Sequence, residues 1–203
     1  VVAGEGLVVN AIYPLPLRFT EADSERAHAE WGANCGPHAI AVVCGLTLDE
    51  LRPHMGDFEA KHYTNPSLLW AVLKRLGARH RALPLTWPNT GTPRWPEWGL
   101  ARIQWEGPWT EPGVPVAAAY RHTHWVAVAI RDGNVGINDV NCMNNGTGWV
   151  AVADWVQTVV PHLTETIPRA TGGWHPTHLL EVRRANDPEA EAWFRTDPPA
   201  HYR

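Results

Sequence analysis

The apolar patterning of this chain changes character partway along, and that change limits the fold more than any other feature. From residue 22 to residue 77 the chain reads as a series of helices. Residues 22–31 read as a polar helix. Asn34-Cys35-Gly36-Pro37 then leads into the apolar run 38–46. Proline is well tolerated in a first helical turn, so this helix starts at or just before Cys35, and Gly45 closes it. Thr47-Leu48-Asp49-Glu50 is a capping box for a short helix that Pro53 limits. Asn65-Pro66-Ser67 opens another helix, with an apolar stripe of Leu68, Leu69, Val72, Leu73 and Leu76 and a stop at Gly77. Beyond a loop at 84–99, rich in Trp and Pro, the runs shorten to strand length. They fall at 101–105, 114–120, 125–130, 134–140, 148–152 and 178–182, with one further helix at 154–163. Helices followed by a mostly antiparallel sheet define an α+β domain. Its expected limits are residues 1–184, with 1–20 as an extended arm. Residues 185–203 form a C-terminal tail in which Asp187-Pro188 opens a short helix.

Composition removes several functions. The net charge of −4 offers no basic surplus for a phosphate backbone, so no nucleic-acid partner is expected. No apolar run reaches the 18 or so residues of a membrane span, and the first residues lack the pattern of a secretory signal. Three cysteines, an odd number without metal-type spacing, argue against a disulfide framework and for a reducing, cytoplasmic setting. The 12 tryptophans are either core anchors or stacking surfaces, which composition does not distinguish.

Cys35 carries the chemistry. A thiol at a helix N-terminus lies at the positive end of the helix dipole, which favours the nucleophilic thiolate. It needs a base, and the base needs an orienting group. His124 opens a strand in which His124, Val126, Val128 and Ile130 share one face. That face is expected to pack against the helix behind Cys35. Asp132-Gly133 is a two-residue hairpin signal. With that turn Val126 lies opposite Asp139 and His124 opposite Asn141, so Asp139 is diagonal to His124 and within its reach. A three-residue turn would shift the parity and offer Asn138 instead. Cys44 and Cys142 read as packing residues. His122 with His124, and His175 with His178, have spacings that two metal ligands use. Third and fourth ligands are not evident, so neither a metal nor a cofactor is expected.

These motifs resemble the papain-like cysteine peptidases: Asn34-Cys35-Gly36-Pro37-His38-Ala39 before an apolar helix, then His124-Trp125-Val126-Ala127-Val128, then Ile137-Asn138-Asp139. The order Cys, His, Asp is similar to the bacterial double-glycine leader peptidase branch, and the resemblance spans roughly residues 30–141. It implies a papain-like fold with Cys35 as nucleophile, His124 as general base and Asp139 as orienter. The Cys35 backbone amide would donate to the oxyanion, and the substrate would be a peptide or protein. The family usually carries a glutamine six residues before the cysteine as second oxyanion donor. Here Ala29 stands there, between His28 and Glu30, and Asn34 or His28 are the substitutes within reach. The implied activity is cysteine-dependent hydrolysis of an amide bond. The alternatives are deamidation, transamidation or cell-wall amide cleavage on the same triad, or a binding module without turnover.

Overall fold

The structure, a computed structural model, describes residues 16–85 and 94–184. Most of the expected arm, much of the 84–99 loop and the C-terminal tail lie outside the described residues. The chain forms α1 (Glu21–Trp31), α2 (Cys35–Cys44), α3 (Leu48–Leu51), α4 (Phe58–Lys61) and α5 (Pro66–Arg75), then β1 (Arg79–Ala82) and β2 (Trp98–Trp105). A single turn, α6 (Val116–Ala119), precedes β3 (Thr123–Arg131), β4 (Asn134–Asn138) and β5 (Trp149–Ala151). The segment Val152–Asp154 (α7), a π turn at Trp155–Val159 and Val160–Glu165 (α8) run on as one helical stretch, and β6 (Trp174–Arg183) closes the sheet. The six strands are antiparallel in the order β1-β6-β2-β3-β4-β5. The result is an α+β architecture. No helix among the described residues is long and apolar enough to cross a membrane.

Local chemistry accounts for the helix ends. The Thr20 and Asp23 side chains form a reciprocal capping box on α1, Thr47 and Glu50 do the same on α3, and the Asn65 side chain accepts from the Leu68 amide at 2.8 Å. Asn34 caps α2, accepting from the Gly36 amide at 3.2 Å, and Gly45 ends it in the left-handed region. Gly36 through Val43 are all buried, so α2 is a central helix enclosed on every side.

The sheet divides the core in two. On one face Leu100, Trp125, Ala127, Ala129 and Leu180 pack with α1–α5. On the other, Ile103, Val126, Val128, Ile137 and Val150 pack with Trp155, Val159 and Val160. The parity of β3 is therefore the reverse of the expectation. Trp125, Ala127 and Ala129 lie toward α2, while Val126 and Val128 face the other way. The physical reason is size: two alanines let an enclosed helix approach the sheet where two valines would hold it off. Trp31, Trp95, Trp105, Trp109, Trp149 and Trp155 are buried, so these tryptophans are core anchors.

Three further expectations change. The run 114–120 is not a strand; Pro115 precedes the helical turn α6, suited to Pro-initiated, alanine-rich sequence. Strand β1 was not foreseen, and its partner β6 starts at Trp174 rather than at His178. The 84–99 loop is shorter than expected because β2 already begins at Trp98, whose indole donates to the Val43 carbonyl at 3.0 Å.

Candidate active site

Asp132 (φ 51°) and Gly133 (φ 76°) form a hairpin turn with both central residues left-handed, the two-residue geometry that the sequence implies. Arg131 pairs with Asn134, and the register runs unshifted to Ala127 opposite Asn138, where it stops. The expected pairings of Val126 with Asp139 and His124 with Asn141 therefore do not form. Asp139 turns away and caps a 3₁₀ segment, Val140–Asn145, its side chain accepting from the Asn141 amide. This leaves the first residues of β3 without a partner on the β4 side, and the N-terminus of α2 occupies that opening. The Trp125 backbone amide donates to the Cys35 thiol, and the His124 side chain hydrogen-bonds to the same sulfur.

His124 is buried, and its Nε2 lies 2.8 Å from Asp139 Oδ2. With Nε2 committed to the carboxylate, Nδ1 is left for the thiol. Asp139 is wholly enclosed and holds four hydrogen bonds. Oδ2 accepts from His124 and from Trp155 Nε1, each at 2.8 Å; Oδ1 accepts from the Asn141 amide and Asn141 Nδ2, each at 2.9 Å. Burial alone would raise the pKa of this carboxyl. The charge and hydrogen bond of His124, then the donors from Trp155 and Asn141, outweigh it and bring the value to about 2.

The thiol and imidazole are displaced toward each other's charged form. Burial works against charge on both. For Cys35 the His124 charge, its hydrogen bond and the Trp125 amide overcome burial and the opposing Asp139 charge, so the pKa falls below that of an ordinary thiol. For His124 the charges of Asp139 and Cys35 overcome burial, so its pKa rises well above that of an ordinary imidazole. The arrangement favours a thiolate–imidazolium pair. The other thiols move the opposite way: burial pushes Cys44 up to about 12 and raises Cys142 further. Only Cys35 is set up to react.

The remaining candidates have other partners. Asn34 Nδ2 donates to the His62 carbonyl at 2.9 Å while its oxygen caps α2, and His28 Nδ1 lies 3.0 Å from the Ala33 carbonyl. Both proposed oxyanion donors are thus committed to backbone. Asn138 does not meet His124; its Oδ1 accepts from His38 Nε2 at 2.8 Å, and its Nδ2 donates to the Thr147 carbonyl at 2.9 Å. Asn141 serves Asp139 rather than the histidine. The His122 ring lies tilted against Trp109 with centroids 4.4 Å apart, His175 lies 3.3 Å from Glu106, and among the described residues neither His pair belongs to a cluster of three or more metal-ligating side chains.

The sequence gives no sign of the parts played by Trp155, on Asp139, and His38, on Asn138. Trp155 lies in the helical stretch after β5, with no spacing rule to link it to Asp139. No protein-family model matches this chain, and no curated protein sequence matches it either.

Proposed function

We propose that this protein is a papain-like cysteine hydrolase that cleaves amide bonds in peptides or proteins. One observation carries the reading: the thiol at the start of α2 is bonded to an imidazole whose second nitrogen is held by a buried carboxylate. A helix-start thiolate, a base and an orienter are the parts that acyl transfer needs.

In this scheme the Cys35 thiolate attacks the substrate carbonyl carbon, and the Cys35 backbone amide donates to the resulting oxyanion. The C–N bond breaks as the His124 imidazolium protonates the leaving amine, giving a thioester on Cys35. His124, now neutral, takes a proton from water, which attacks the thioester and releases the acid and the thiol. Asp139 holds the imidazole in one tautomer and orientation throughout. Cys35, Cys44 and Cys142 are all free, in keeping with a reducing compartment such as the cytoplasm.

The test is incubation of the protein and its Cys35→Ala variant with a denatured protein mixture, read by mass spectrometry. New peptide termini that depend on Cys35 support peptide-bond hydrolysis. Conversion of Gln or Asn side chains to acids, without new termini, moves the reading to deamidation. No Cys35-dependent product of either kind overturns it.

A further inference from the structure

Arg102 is 5% exposed, on β2, where it pairs across the sheet with Trp125 of β3 and His178 of β6. Burying a guanidinium is costly unless a carboxylate or a full set of acceptors accompanies it. Here neither does. Among the described residues Arg102 forms no ion pair. Its Nη2 donates to Thr123 Oγ1 at 3.1 Å, and its Nε is buried with no hydrogen-bond partner. The guanidinium carbon instead lies 5.7 Å from the Tyr120 ring and 6.0 Å from the Trp125 ring. Cation–π contact offsets part of the desolvation and leaves the planar donor fork only partly used. Burial and the Arg102 charge hold the neighbouring His178 down to about 4, so it is neutral at pH 7 and adds no second positive charge.

This partly used fork and the nucleophile share Trp125 as a neighbour. The Trp125 amide contacts the Cys35 thiol, and the Trp125 indole donates to the Thr64 carbonyl at 2.8 Å. Thr64 in turn fits against Gly36, the residue after the nucleophile, where an added Cβ would lie 2.1 Å from Thr64 Oγ1. Trp125 thus stands between the two, its ring 6.0 Å from the guanidinium carbon and its backbone amide on the thiol. Burial lowers the Arg102 pKa, while Tyr120 and then the negative charge of Cys35 raise it, consistent with that proximity. Tyr120, whose ring flanks the guanidinium, is itself 54% exposed.

We propose that Arg102 binds a carboxylate of the substrate next to the amide that Cys35 attacks, making the site selective for bonds flanked by negative charge. The carboxylate is either a chain-terminal one or that of an acidic side chain. This inference rests on Cys35 being the nucleophile.

The test compares alkylation of Cys35 by iodoacetate, which carries a carboxylate, with alkylation by neutral iodoacetamide. In both reactions the thiolate forms an S–C bond and iodide leaves. The ratio of the two rates is expected to fall at least tenfold in Arg102→Met. Arg102→Gln, which keeps a hydrogen-bonding group toward Thr123, carries the comparison if the methionine variant does not fold. N-acetylalanine and N-acetylglutamate α-amide are then used to protect wild-type Cys35 from iodoacetamide. Protection by the first identifies a terminal carboxylate, and protection by the second an acidic side chain. The same rate ratio in wild type and variants, or protection by neither compound, overturns the proposal. A Cys35 that reacts no faster than Cys44 overturns the nucleophile assignment, and this inference with it. That result is distinct from an unchanged ratio at a fast-reacting Cys35.

Discussion

The backbone amide of Trp125 donates to the Cys35 thiol, at the stretch of β3 that β4 leaves unpaired. A strand in a sheet normally spends its amides on its neighbours. Because β4 stops at Asn138, this amide is free for the nucleophile, and the adjacent His124 reaches the same sulfur. The site is therefore built on an interrupted ladder, with the helix terminus standing where strand pairing would have continued.

The thiolate pair sets the pH response. Cys35 is lowered and His124 is raised, so alkylation of Cys35 is expected to remain fast at neutral pH and to decline as the thiolate takes up a proton in acid. In His124→Ala the charge and the hydrogen bond are both lost. Burial and the Asp139 charge are then opposed only by the Trp125 amide, and the Cys35 pKa is expected to move upward. Rates of iodoacetamide labelling against pH, measured separately for each cysteine, check both statements.

Trp155→Phe removes one of the two donors on Asp139 Oδ2 and leaves the aromatic volume nearly unchanged. The carboxylate becomes less well held, and the histidine with it. Cys35-dependent turnover is expected to fall by between about tenfold and a hundredfold, as for outer partners that orient a ligating or catalytic imidazole. Asp139→Asn is expected to cost more. Kinetics on whichever amide substrate the protein accepts provide the comparison, with circular dichroism to verify that both variants fold.

Gly36→Ala meets Thr64 directly, because the added methyl would lie 2.1 Å from its hydroxyl oxygen and 2.5 Å from its Cβ. Either α2 or the segment before α5 has to move. The expected destabilisation is about 1–3 kcal/mol, with loss of the Cys35–Trp125 contact. Thr64→Gly in the same chain should recover part of it. Urea denaturation of the four proteins of this cycle measures the coupling.

His38 is buried and neutral, its Nε2 donating to Asn138 while Nδ1 is enclosed without a partner. Burial is the main cause that holds its pKa at about 4, against 6.5 for a free imidazole. Between those values the unfolded chain binds a proton that the folded chain refuses, so stability falls as pH falls from about 6.5 to 4. The loss amounts to roughly 3 kcal/mol when complete. His38→Gln, which retains a donor toward Asn138, should flatten the dependence of the urea midpoint on pH in this window.

Much of this arrangement is legible in the residues themselves. Caps and stops locate α2 and α5, and the Asp132-Gly133 turn sets the register as far as Asn138, but not the turn by which Asp139 meets His124. The residues between Val114 and Tyr120 mislead because apolar alternation and a proline-started helical turn look alike over so short a span. The facing of β3 also eludes pattern. His124 and Val126 share a side of the strand, yet the histidine reaches a thiol that enters from the sheet's open end, which alternation does not encode. Arg102 is invisible for a related reason: only the fold reveals a charge that has been buried without a counter-charge.

The position of β6 bears on how the molecule is made. The strand that joins β1 to β2 is the last of the described elements, Trp174–Arg183, so a growing chain carries its reactive cysteine for some 140 further residues before the sheet beneath it can close. During that interval the helical segment can form, but a complete β sheet cannot. Completion of the sheet is therefore timed by the last of its strands in the sequence.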